Sequence, residues 1–435
     1  MSLASPEDLI LQLTDARART CALIDQLSEE QLTGPRLPTV NPLRWEIGHA
    51  AYFYEFWVLR HHYKEPSLIT DIDELFDSIH IPHESRWDLK LPALADTIKY
   101  MQQVKDRVVH HLSNGQHDPI RDYLTQYAIF HEDMHCEAFT YTRQTLQYPE
   151  PKFSLDLQSL DNNNQALGDA IIPGGTFRLG AEDNDNFIFD NEKWAHEIKV
   201  APFKISKTAV SNEEFEQFVM AGGYRQRDFW CDEGWQWVSN NNIQHPVYWK
   251  YDQQTNQWKV RLFDQWKNIP AKSAIVNINW YEARAYCQWA ERRLPSELEW
   301  EVAASAVPTP DHTALTNEKR YFPWGNQEPT SKHANFNGET LGPIDINANP
   351  DGDSAFGCRQ MLGNVWEWTD SIFSPYPGFT PDMYQDYSQP LFGKTRVLRG
   401  GCWATRARLM RNTWRNYYAP DRNDVFAGFR TCAIT

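Results

Sequence analysis

The sequence has no apolar run approaching the roughly 18 residues that a membrane-spanning helix needs, and its mean hydropathy is −0.64. A spanning helix is therefore excluded. Basic charge is in short supply: 42 Lys and Arg stand against 58 Asp and Glu, a net −16. Nucleic acid and anionic membrane surfaces are poor partners for such a chain, because phosphate contacts need clustered cations. Cysteine is sparse and scattered, at 21, 136, 231, 287, 358, 402 and 432, with no C-x-x-C. That argues against a disulfide framework or a thiolate zinc site and fits a reducing cytoplasm. The start, Met1-Ser2-Leu3-Ala4-Ser5-Pro6-Glu7-Asp8, lacks the basic and apolar segments of a signal peptide. No period of 20–50 residues appears, which disfavours solenoids and propellers.

Large apolar groups are plentiful. Of 435 residues, 41% are hydrophobic and 14% aromatic, with 18 Trp, 19 Tyr and 22 Phe. This composition is globular and sufficient for two or three domains. Aromatic rings fill cores, and they also line pockets for cationic ligands.

The character of the chain changes near residue 150. Ser5-Pro6, Asn41-Pro42 and Asp118-Pro119 each pair a capping residue with proline at the first helical position. With a fourth periodic stretch after Pro92, helices are expected over 6–29, 42–62, 92–113 and 119–147. Together they predict a four-helix bundle over residues 1–150. The connection 63–91 is long, and long loops in compact domains tend to be functional or to pack on a neighbour. Residues 149–170 are polar and read as a linker. A second domain over 165–435 then mixes turns, short strands and helices. Pro173 to Gly180 predicts a turn entering a strand. Trp280 to Arg292 and Ser296 to Ala304 predict helices, the latter with a capping box formed by Ser296 and Glu299. The overall expectation is an α+β multidomain protein.

The sharpest chemical signal is His131-Glu132-Asp133-Met134-His135. A spacing of four places both imidazoles on one helix face, roughly 6 Å apart, within reach of one metal. Leu124, Tyr127, Ala128, His131, His135, Ala138 and Thr142 share the inward stripe. On the second helix, Trp45, His49, Tyr52, Phe53 and Phe56 form another, with Gly48 leaving room beside His49. His49, His131 and His135 thus make a three-nitrogen metal face with open positions, suited to iron, zinc, copper or nickel. Glu132 or Asp133 is the alternative third ligand in place of His49. His61, His62, His110 and His111 lie near helix ends, where solvation is expected; His80 and His83 sit in the long connection. The competing reading is a non-catalytic ligand-binding module whose histidines are structural.

Leu43-Arg44-Trp45-Glu46-Ile47-Gly48-His49 and Phe130-His131-Glu132-Asp133-Met134-His135 resemble the two metal-binding motifs of a DinB-like bundle. Four C-terminal motifs resemble the formylglycine-generating-enzyme (sulfatase-modifying factor) fold, a C-type-lectin-like α+β module. They are Arg293 to Trp300, Gly363 to Trp368, Arg399 to Trp403 and Ala427 to Arg430. The pairing is similar to the sulfoxide synthases of ergothioneine biosynthesis and covers nearly the whole chain. The resemblance implies a mononuclear non-haem iron(II) enzyme using O2. Members join a thiol sulfur, from cysteine or γ-glutamylcysteine, to the imidazole carbon of hercynine. A related branch, the selenoneine synthases, uses a selenosugar. Asp77-Ser78 and His83-Glu84-Ser85-Arg86-Trp87-Asp88-Leu89 resemble that branch at least as closely, so the donor stays open.

The resemblance also implies site residues. Tyr384, in Met383-Tyr384-Gln385-Asp386-Tyr387-Ser388, is the implied proton donor, as a phenol stays protonated at neutral pH. Trp414, Asn416, Tyr417 and Tyr418 correspond to the substrate segment. Asn416 is expected to hydrogen-bond the substrate, and Tyr417 and Tyr418 to contact its methyl groups; a quaternary ammonium has no N–H to donate and favours aromatic faces. Asp421 and Arg422 are implied contacts for polar groups of the donor, with plain surface charges as the competing reading. Met134 stands where some relatives carry an imidazole-contacting Gln. Thr405 and Met410 occupy the places of the reactive cysteine pair of formylglycine-generating members, so that activity is not expected. Gly393-Lys394-Thr395 lacks the first glycine of a P-loop, since Ser388 stands there.

Overall fold

A computed structural model describes residues 4–114, 118–153, 165–183 and 187–434. The chain divides into two compact units, Met1–Phe153 with Asn184–Phe187, and Ser154–Asp183 with Ile188–Thr435. No helix among the described residues is long and apolar enough to cross a membrane.

The first unit is helical. Helix α1 (Pro6–Ile24) starts where Ser5 Oγ accepts the Asp8 N–H at 3.1 Å. It ends five residues before the expected boundary at 29, because Gln26 turns left-handed at φ 64°. The chain restarts as α2 (Glu29–Thr33) under a capping box of Ser28 and Gln31. Helix α3 (Leu43–Tyr54) continues into a π-helical stretch, Glu55–His62. Asn41 does not cap α3. Its side-chain oxygen instead accepts from Arg86 Nη1 at 2.7 Å, and Pro42 opens the helix. A short α4 (Asp73–Phe76) lies in the long connection, followed by α5 (Leu94–Asn114) and α6 (Pro119–Thr145). Asp118 caps α6 by accepting from the amides of Ile120 and Arg121. Helix α1 packs on α5 and α6, and α3 packs on the same two, giving the bundle.

The connection 63–91 packs against α3. Leu75 carbonyl accepts the Trp45 Nε1–H at 2.7 Å, and Asp73 accepts from Tyr52 Oη and Arg60. The Phe76 ring sits directly on Gly48; a Cβ there would lie 2.2 Å from Phe76 Cε1. The glycine therefore admits the ring, and with it the Phe76 backbone.

The second unit is α+β. It comprises β1 (Asp169–Ile172), β2 (Gly175–Leu179), β3 (His196–Val200), β4 (Phe203–Ser206), α7 (Asn212–Met220) and α8 (Asp232–Asn241). Then follow β5 (Trp249–Asp252), β6 (Gln257–Leu262), β7 (Gln265–Asn268), α9 (Trp280–Trp289), β8 (Arg292–Arg293) and α10 (Glu297–Ser305). The chain ends with β9 (Ala306–Pro308), β10 (Leu315–Lys319), β11 (Trp366–Ile372), β12 (Arg396–Arg399), β13 (Arg415–Tyr418), β14 (Ala427–Gly428) and β15 (Cys432–Ala433). Two four-stranded sheets run β1-β4-β15-β8 and β13-β12-β11-β14; β14 lies parallel to β11. Helix α9 is shorter than expected: Glu291 turns at φ 52° and Arg292 enters β8. The capping box of α10 forms as read from the sequence. Of the expected linker, 154–164 lies outside the described residues, and Asp169 and Ala170 already belong to β1.

The four C-terminal motifs converge in the interior on an ion network. Trp300 Nε1–H donates to Glu367, which also holds Arg430 at 2.7 and 2.8 Å. Arg399 binds Glu301 at 2.6 Å, and Arg415 holds Glu297 with two contacts of 2.9 Å. Gly400 (φ 99°) passes so close to the Met361 carbonyl that a Cβ would lie 2.5 Å from it. Burying an ion pair adds little by itself, but removing one partner leaves a charge stranded.

Burial pushes the Glu301 carboxyl up, yet Lys319 and Arg399 outweigh it and hold the group at about 2. A folded-state value below the ordinary 4.5 contributes stability that is fully present above pH 4.5 and is lost as pH falls towards 2. Glu301→Gln should cost about 3 kcal/mol at pH 7 and show a shallower fall of unfolding free energy between those pH values than the parent. Urea titrations at stepped pH measure both; equal slopes would count against the pairing.

Candidate metal centre

The three histidines expected to meet do so. Their ring nitrogens lie within 4.8 Å of one another, and they form a metal-capable cluster among the described residues that includes no carboxylate. Helix α3 delivers His49 and α6 delivers His131 and His135. Ring centroids are 5.1 Å (His49 to His131), 5.0 Å (His49 to His135) and 4.5 Å (His131 to His135) apart.

Outer partners fix which nitrogen faces inward. His49 Nδ1 lies 2.8 Å from the Phe76 carbonyl, so it must donate there and leave Nε2 with a lone pair. His135 Nδ1 lies 2.7 Å from Glu46 Oε1, with the same consequence. His135 Nε2 and His131 Nε2 are 3.3 Å apart. Two nitrogens bound at about 2.1 Å to one ion, at 90–109°, are separated by roughly 3.0–3.4 Å. The donor set therefore fits a divalent metal.

Stacking holds the ring planes. Trp45 lies parallel to His49 at 4.8 Å, and Phe53 to His131 at 3.9 Å. The Arg86 guanidinium sits 4.0 Å from the Trp45 ring centroid. His49 and His131 are 4% and 5% exposed; the His135 side chain, at 18%, forms the accessible edge. Burial, reinforced by His135, keeps His49 well below its ordinary value, with the Phe76 contact opposing. Burial, with His135 and His49 adding, does the same for His131. Both rings are thus neutral at pH 7, the ligating form.

The alternative ligand Glu132 is otherwise engaged. It is buried, accepts from Arg17 Nε at 2.9 Å and Nη2 at 3.3 Å, and accepts from Thr20 Oγ1 at 2.7 Å. Asp133 is buried as well. Met134 is half-buried on α6. Two histidines expected in solvent are instead half-buried and hydrogen-bonded to carboxylates, because the ends of three helical segments meet there: His62 Nε2 with Asp118 at 2.7 Å and His111 Nε2 with Glu65 at 2.6 Å. His61 and His110 are exposed; His80 meets Asp77 at 2.8 Å and His83 Nε2 lies 2.7 Å from the Val40 carbonyl. Glu46 and Phe76 were missed by the sequence reading. Glu46 lies one helical turn before His49, and Gly48 marks the socket that Phe76 fills.

The second unit carries the remaining residues. Tyr384 is half-buried and opens a 3-10 turn, its carbonyl accepting the Tyr387 N–H at 3.1 Å. Its segment is pinned at both ends: Lys193 binds Asp382 at 2.7 Å, and Ser388 Oγ donates to Asp190 at 2.5 Å. Trp414 is buried edge-on against Trp366 at 4.9 Å. Along β13 the pleat alternates. Arg415 and Tyr417 point into the core, Asn416 and Tyr418 to the other face. Tyr417 stacks on Phe373 at 3.9 Å and its hydroxyl donates to the Tyr387 carbonyl. Asn416 Oδ1 accepts the Tyr417 N–H at 2.8 Å. Asp421 is exposed, whereas Arg422 is held by both oxygens of Asp424 at 2.6 and 2.7 Å. Thr405 and Met410 are buried.

Comparison with known proteins gives a consistent picture. Residues 157–434 match the model of the sulfatase-modifying factor enzyme 1-like domain, and residues 12–138 that of the DinB superfamily. The chain is 35% identical over 432 residues to the hercynine oxygenase of Mycolicibacterium thermoresistibile, covering 97% of this chain and 94% of the relative. It is equally identical to the hercynine oxygenase of Mycobacterium tuberculosis, covering 98% and 99%. The formylglycine-generating enzyme of Thermomonospora curvata is 31% identical over 316 residues, 65% of this chain and 99% of that one. A DinB-like bundle followed by a formylglycine-generating-enzyme-like module, matched nearly end to end, means that the chain belongs to the hercynine oxygenase family, the sulfoxide synthases of ergothioneine biosynthesis.

Proposed function

We propose that the protein is an iron(II)- and O2-dependent enzyme that forms a carbon–sulfur or carbon–selenium bond at the imidazole C2 of hercynine. The observation that carries the reading is the convergence of ring nitrogens of three histidines from two helices, with the Nδ1 sides of His49 and His135 occupied by outer partners. Family membership supports the same reading, since its curated relatives are hercynine oxygenases. Iron(II) held by His49, His131 and His135 would supply open positions for O2 and a soft sulfur or selenium donor. The chain's part is to keep His49 and His131 neutral, to fix the three rings and to hold the reactants in register, which removes barrier by positioning.

Tyr384 is the proposed proton donor. Its segment is tied down by the Lys193–Asp382 and Ser388–Asp190 contacts, which favours a fixed phenol over a mobile one. Asn416 and Tyr418, on the face of β13 away from the core, are the proposed contacts to hercynine, with Trp414 and Tyr417 supporting them from within. Asp421 and Arg422 are proposed for the donor, and Met134 for the substrate side of α6. The donor is a thiol such as cysteine or γ-glutamylcysteine, or a selenosugar.

The decisive assay incubates anaerobically purified, iron-loaded protein with hercynine and O2. Each donor is added in turn, and coupled products are read by mass spectrometry. Coupling with at least one donor is expected; none with any would defeat the catalytic reading. His135→Ala should lose stoichiometric iron. Full metal content in that variant would refute the ligand set and favour structural histidines. Tyr384→Phe should slow coupling by roughly 100-fold, the lower range of general acid contributions, with iron content unchanged. An unaltered rate would remove its role.

A further inference from the structure

We propose that Glu46 is a positioning residue for the metal, acting through His135 rather than by coordination. The inference rests on the metal-centre reading above. Glu46 is on α3, one turn before His49, yet it serves a histidine of α6 that lies 89 residues away in the chain: Oε1 is 2.7 Å from His135 Nδ1. The same helix thus carries one ligand and the support of another.

Two further features single it out. Glu46 is 1% exposed, and its second oxygen, Oε2, is buried and makes no hydrogen bond among the described residues. A buried carboxylate left half satisfied is costly unless positive charge is close. Glu132, a buried carboxylate of α6, already has a cationic partner in Arg17. His49 and His131, held neutral by burial, bring no charge of their own, so a divalent ion at the cluster is a natural complement to Glu46. The support is also uneven. His49 leans on a neutral carbonyl and His131 on the Phe53 ring, so among these contacts only His135 has an anionic partner. A carboxylate on Nδ1 fixes the tautomer, aims Nε2 at the metal and raises the basicity of that ring.

The test compares the parent with Glu46→Gln and Glu46→Ala. Affinity for Co(II) is measured anaerobically by competition with a chromophoric chelator, and the Fe(III)/Fe(II) midpoint potential is measured on iron-loaded protein. Glu46→Ala should bind metal roughly 10–100-fold more weakly. Glu46→Gln keeps an oxygen acceptor but loses the charge; it should retain most of the affinity and shift the potential upwards. Circular dichroism of the metal-free forms establishes folding, and if the alanine variant is unfolded the isosteric glutamine variant carries the test through the potential. Parental potential in Glu46→Gln, or parental affinity in a folded Glu46→Ala, overturns the inference while leaving the metal centre intact. Absence of Co(II) uptake by the parent itself would instead overturn the metal reading on which the inference stands.

Discussion

Three imidazoles brought together in a helical bundle, two of them buried and uncharged, are the constraint around which the first unit is organised. Each ring has two nitrogens, and an interior offers no water to either. Where the partners are fixed, the answer is directional: a backbone carbonyl takes one Nδ1–H, a carboxylate takes another, and the Nε2 atoms turn towards a common point. Flanking aromatic planes, Trp45 and Phe53, leave the rings little freedom to rotate. Sites of this kind bind well because the ligands are held before the ion arrives.

The second unit solves a different problem with the same means. Its interior is crossed by Glu297, Glu301 and Glu367 against Arg399, Arg415 and Arg430. Short strands, three of them only two residues long, supply few ladder bonds, and side-chain ion pairs tie them to α10 and to one another. The surface that β13 offers is set from beneath: Arg415 is anchored to Glu297, so the alternation along the strand leaves Asn416 and Tyr418 on the other side.

Much of this was legible in the residues, and the rest was hidden for identifiable reasons. Helix starts at Ser5 and Asp118 are local, since the cap and proline sit within three residues, and both held. The His131/His135 pair was readable from helical spacing. His49 followed from its apolar stripe, and Gly48 beside it had a visible reason to be small. The Glu46–His135 contact was not readable, because it joins two helices across 89 residues and depends on how they pack. The end of α1 escaped notice because the left-handed turn falls on Gln26, a residue with no special liking for it. Asn41 looked like a cap but found a better partner in Arg86, again from a distant segment. Strands β8, β14 and β15 are too short for periodicity to register.

Helix α1 contributes none of the three histidines, yet Arg17 and Thr20 reach across to Glu132, the residue right after His131. The first helix therefore acts as a counterweight for a sequence that had to place an acid inside HEDMH. Without that guanidinium, the buried Glu132 carboxylate, one position from His131, would be left without its cation, which is strongly destabilising. Fragments that begin after α1 would keep all three histidines and lose the cation that offsets a buried carboxylate beside them.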